Sequence, residues 1–127
     1  MLVGALFVQL AAVAASDCVR QYDSRDCWVR QKALQKKLDG LYSLEEKAVL
    51  QNLKDYEPAV QKQTIKSLRQ TNAAFGRFKD SECSSEPLVD GMSLRDVGVM
   101  SDSCKVEWRE KRIEALNERI RTRSAKK

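Results

Sequence analysis

Leu34, Leu38, Leu41, Ala48 and Val49 recur at helical spacing over the segment from about Asp26 to Lys54. Asp39-Gly40 is an ordinary stop signal, and Ser43-Leu44-Glu45-Glu46 would suit a capping box opening a new helix. The apolar stripe nevertheless keeps its phase through Gly40, and glycine inside a helix costs only about 1 kcal/mol relative to alanine. One long helix is therefore expected. Asp55-Tyr56-Glu57-Pro58 reads as a turn, with Pro58 at the first position of a second helix, where its missing N–H is not needed. That helix is expected to run to about Cys83, with Ile65, Leu68, Phe75 and Phe78 on its apolar side. Residues 84–92, Ser-Ser-Glu-Pro-Leu-Val-Asp-Gly-Met, read as a loop, and Ser93 as an N-cap. A third helix follows to about Arg121, with Val106, Ile113, Leu116 and Ile120 in amphipathic register. Alternating strand patterns are absent. The expected fold is all-α, an antiparallel three-helix bundle with short connections.

The first sixteen residues break this pattern. They carry no charged side chain, and an apolar run from Leu2 to Val13 ends in small residues up to Ser16. That is the apolar region and cleavage signature of a secretory signal peptide, too short to span a bilayer. The expected organisation is a signal peptide over 1–16, a helical domain over 17–121 and a basic flexible tail over 122–127. Export to the periplasm or beyond follows, with no transmembrane span.

Composition adds the cysteines. Cys18, Cys27, Cys83 and Cys104 all follow the expected cleavage point. Four cysteines in a small exported chain read as a disulfide framework. Of the three possible pairings, Cys18–Cys27 and Cys83–Cys104 close the shortest loops and are favoured. A metal site is the weaker reading, because the chain has no histidine and no Cys-x2-Cys pair.

Charge changes the picture less than the net value of +5 suggests. All 18 acidic side chains and all but five of the 23 basic ones lie before residue 119. The excess is Arg119, Arg121, Arg123, Lys126 and Lys127. A balanced domain is not a nucleic-acid binder of the usual kind. The basic end reads as a solvated terminus, or as a weak attraction to an anionic surface.

Catalysis has little to stand on. Without histidine there is no Ser-His or Cys-His arrangement, and no glycine-rich phosphate loop exists. Glu82, Glu86 and Asp90 cluster near the expected loop, but a small bundle offers little of the cleft that paired carboxylates need. No enzyme activity and no cofactor are expected. Trp28, Phe75, Phe78 and Trp108 read as core; Tyr42 and Tyr56 suit either a core edge or an interface.

Several stretches resemble a known family. Phe75-x-x-Phe78-Lys79-Asp80-Ser81-Glu82-Cys83 is similar to the pattern Trp-x-x-Phe-Arg-Asp-x-Glu-Cys. Cys104, Arg112 and Leu116 are spaced like a closing Cys-x7-Arg-x3-Leu. Leu38-x-x-x-Tyr42, Asp17-Cys18 with Cys27, and Gly91-Met92-Ser93 match further steps. The family is that of the LprI-like lysozyme inhibitors, and the likeness runs over the whole chain after residue 16. Phe75 and Lys79 depart from its usual Trp and Arg. The resemblance implies a helical bundle with cysteines paired in sequence order. It also implies a protein partner, a cell-wall muramidase, held by inhibition or as an immunity factor against an antibacterial effector. Lys79, Asp80 and Arg112 would then lock the second helix to the third. The loop closed by Cys83 and Cys104 would meet the partner through Asp90, Gly91, Ser93 and Arg95. The alternative is a non-inhibitory envelope adaptor. Oligomeric state is not legible in the sequence.

Overall fold

The computed structural model describes residues 24–89, 91 and 94–125. The expected signal peptide over 1–16, Cys18, Asp90, Ser93, Lys126 and Lys127 lie outside that range. Three helices account for nearly all of it: α1 (Ser24–Asn52), α2 (Pro58–Val89) and α3 (Leu94–Ser124). Among the described residues there is no strand. The all-α class expected from the pattern is observed, and Gly40 sits inside one uninterrupted α1.

The α1–α2 turn forms where Pro58 requires it. The Glu57 carbonyl accepts from the N–H groups of Val60 and Gln61 at 3.0 and 3.2 Å, opening α2. The Gln61 side chain donates to the carbonyls of Leu53 (2.9 Å) and Tyr56 (3.0 Å), pinning the turn to the start of α2.

The expected loop over 84–92 is corrected. α2 continues through it to Val89, so the connection to α3 is only residues 90–93. Ser84 and Ser85 suit a loop by residue type, but their hydroxyls donate to the carbonyls of Asp80 (2.6 Å) and Ser81 (2.9 Å) one turn back. Such back-bonding lets serine stay in a helix. Pro87 falls in the last turn and removes one backbone donor there. Gly91 turns the chain with a φ of 75°, a left-handed conformation that a side chain disfavours.

Cross-helix bonds fix the directions. Gln31 meets Asp102, Glu45 meets Arg119, and Asn52 meets the Arg123 carbonyl, so α1 and α3 run parallel. Cys83 is bridged to Cys104, and Arg112 bonds Asn72, so α2 runs against α3. The packing is that of a bundle in which each helix is antiparallel to its chain neighbour. α1 packs chiefly on α3, and α2 packs more on α3 than on α1.

The core lies on the α1–α3 seam. Cys27 and Val106 form one cluster, flanked by Leu34. Leu38, Ile113 and Leu116 form another, flanked by Leu34, Leu41 and Tyr42. The seam is not uniformly apolar: Gln31, Leu38, Glu45 and Asn52 follow one another at seven-residue steps on α1. Polar residues in such a stripe lower stability and fix the register of the partner helix.

The Cys83–Cys104 disulfide is formed, with the two Cα atoms 5.4 Å apart. Cys27 is fully buried and is not a free thiol; its expected partner, Cys18, lies outside the described residues. The aromatic expectation needs correction. Trp28 is 53% exposed, because it sits one residue, or about 100° of helix rotation, from the inward-facing Cys27. Phe78 is 48% exposed and covers Trp108 from outside, ring centroids 5.3 Å apart. Phe75 meets the same indole edge-on at 6.4 Å.

Candidate functional site

The residues of the family-like motifs separate into distinct roles. Leu116 is fully buried in the α1–α3 core. Arg112 crosses between helices: it donates to Asn72 Oδ1 at 2.8 Å, and its guanidinium lies 4.7 Å from the Phe75 ring centroid. Lys79 does not. Its ammonium reaches Asp80 on the same helix at 3.5 Å, so that pair cannot tie α2 to α3. Lys79 is only 4% exposed, whereas Asp80 faces water. Burial pushes the Lys79 ammonium below its ordinary pKa, the nearby Arg109 adds to the effect, and Asp80 opposes it. Arg109 is itself lowered by burial, and it donates to Gln35 (3.1 Å) and Gln31 (3.2 Å) across the α1–α3 seam.

Of the residues expected to meet a partner, Gly91 and Arg95 lie at one end of the α2–α3 hairpin. Beyond the disulfide, α2 continues from Cys83 to Val89, and α3 approaches Cys104 from Leu94. At 1.5 Å per residue these ends extend about 9 and 15 Å past the bridge. Gly91 stands in the turn and Arg95 in the first turn of α3. Asp90 and Ser93 lie outside the described residues. The described part of the tip is thus a bridged pair of helix ends, in place of the expected loop closed by Cys83 and Cys104.

A second surface has no counterpart in the sequence reading. α2 meets α3 through Asn72, Phe75, Phe78 and Cys83, from near its midpoint onward. Its first half is left beside α1 with an open groove between them. One stretch, of about 390 Å³, is floored by Leu38, Phe75 and Gly76 and reaches Lys79. The next, of about 1030 Å³, is floored by Leu50, Pro58 and Ile65. Arg69 and Ala73 line both, so the two stretches adjoin there. Across the groove Arg69 Nε donates to Glu46 Oε1 at 2.5 Å.

Sequence reasoning also missed Glu45. Its carboxylate is completely buried, and it accepts from Arg119 through two bonds of 2.8 Å and from Arg123 at 2.5 Å. The available signal was phase: Glu45 falls seven residues after Leu38 on the inward stripe, and its two arginines are four apart on α3. α3 continues to Ser124, so this part of the basic end is helical and Arg123 is tied to α1.

Among the described residues, no group of histidine, cysteine, aspartate or glutamate side chains is arranged to hold a metal ion. No described helix is long and apolar enough to cross a membrane. Comparison with protein-family models, with curated proteins and with solved structures returns no match to this chain.

Proposed function

We propose that the chain is an exported binding protein that inhibits a peptidoglycan-cleaving, lysozyme-type hydrolase with the tip of its α2–α3 hairpin. The observation that carries this reading is the clamp: two helix ends closed by a short turn and bridged at Cys83–Cys104. Helix ends held together by a disulfide lose less conformational entropy in a partner's cleft than unbridged ones. A lysozyme-type cleft carries two carboxylates, and Arg95 in the first turn of α3 supplies a cation for one of them. The family-like motifs favour the same partner class. Cys18 is the proposed partner of Cys27, and its bridge would tie the start of the exported chain to α1.

The test is direct. The purified protein is mixed with several muramidases, and turnover and complex formation are measured. Slowed turnover by the wild type, weakened about tenfold or more by Arg95→Ala, is the expected result. If no muramidase is slowed and none forms a complex, the inhibitor reading fails. A second reading, a non-inhibitory envelope adaptor, is favoured by the α1–α2 groove, which is remote from the tip along most of α2.

A further inference from the structure

A three-helix bundle ordinarily packs three helix–helix seams. Here one of them stands open. α1 is joined to α3 from Gln31 to Asn52, and α2 is joined to α3 from Asn72 to Cys83. The first half of α2 touches α1 through little more than the turn and the Arg69–Glu46 pair. The result is a pair of adjoining groove stretches along α2 from Pro58 to Lys79, crossed where they meet by the exposed Arg69 side chain on its way to Glu46. At 1.5 Å per residue the two together are about 30 Å long, the length of a helix of about twenty residues.

Its chemistry is uneven in one direction. The floor is apolar: Leu50, Pro58, Ile65, Leu38 and Phe75. The rim is cationic: Lys62, Lys66 and Arg69 stand on α2 at four- and three-residue steps, along one face. Glu46 is the sole carboxylate among the lining side chains, and Arg69 already neutralises it. Lys62 and Lys66 are exposed and take part in none of the observed salt bridges. An apolar floor beside a row of positive charge is complementary to an amphipathic helix whose apolar face is flanked by Asp and Glu. The chain's own residues 1–16 are a poor match: they carry no acidic side chain and would leave the cationic rim unmet.

We propose that the α1–α2 groove is a docking site for an acidic amphipathic helix of another protein, which seats against α1 and α2 as the missing packing partner. The site is separate from the hairpin tip and does not depend on the inhibitor reading.

The probe is a synthetic peptide of about twenty residues, with leucines at helical a and d positions and glutamates flanking them. The full chain is titrated with it and followed by backbone amide NMR, alongside a lysine-flanked version, a scrambled version and phosphatidylglycerol vesicles. Expected are shift changes confined to residues 38–50 and 58–79, and affinity that falls with salt. Lys62→Glu/Lys66→Glu is expected to weaken the glutamate peptide by about tenfold or more and to favour the lysine-flanked one. The same variant should leave any muramidase inhibition intact. Equal binding of the scrambled peptide, shifts mapping elsewhere, or failure of the charge swap would overturn the proposal. So would a concentration-dependent dimer burying the groove, or binding to the vesicles in place of the peptide.

Discussion

Lys79 illustrates how far a single residue's surroundings can depart from its sequence context. Its neighbour Asp80 suggests an ion pair, yet burial and Arg109 outweigh that attraction and hold its pKa below 10.5. The sign of the consequence follows from linkage. Between the lowered value and 10.5 the unfolded chain binds more protons than the folded one, so wild-type stability rises with pH through that window. Below it, folding carries a buried charge. Lys79→Met removes that charge while keeping much of the volume, and Asp80, exposed, loses little. The variant should melt higher than wild type at pH 7, and the difference should shrink as pH approaches 10.5. Thermal melts across pH measure this; a variant less stable at pH 7 would mean that the Asp80 pair dominates.

Between elements, the α1–α3 seam depends on the Glu45 clasp. The carboxylate is fully buried, while Arg119 and Arg123 are each about one-third exposed. Removing different partners is therefore unequal. Arg119→Met/Arg123→Met strands a buried carboxylate, a change expected to cost about 3–5 kcal/mol. Glu45→Met leaves two arginines that can turn to water, and should cost clearly less. Urea unfolding of both variants decides it, and an equal or larger loss for Glu45→Met would refute the asymmetry. The clasp also changes how the basic end should be probed. Cutting at residue 119 removes both arginines, so only a deletion after Ser124 tests the terminal charges without loosening the bundle.

At the scale of the whole molecule, the disulfide and the seam share the stabilisation of a small core. The Cys83–Cys104 bridge spans a sequence separation of 21. In the chain-entropy account a closure of that size contributes about 3 kcal/mol, a large share of the roughly 5–15 kcal/mol typical of a domain. Cys83→Ser/Cys104→Ser should lower the urea unfolding free energy by about that amount. Because α2 is held to α1 so sparingly, the same variant should also loosen α2 more than the α1–α3 pair. Hydrogen exchange would show protection falling along 72–89 while 31–52 changes little; uniform loss would indicate one indivisible cooperative unit.

The sequence alone was enough for the helical class, the unbroken α1, the Pro58 turn and the Cys83–Cys104 pairing. Each of these rests on local signals: the period of apolar residues, one proline's fixed geometry, and short loops between cysteines. Tertiary structure decided the rest. Ser84 to Pro87 look like a loop, but α2 continues through them, with the Ser84 and Ser85 hydroxyls bonded back to the preceding turn. Trp28 and Phe78 look like core, but only the angle at which helices meet determines which aromatic face is covered. Glu45 looks like an interior position of a capping box, and it becomes the centre of the seam because the parallel α3 brings two arginines to it. The groove exists only because α2 leans on α3 and away from α1. Its floor and rim come from two helices whose mutual distance no local pattern encodes.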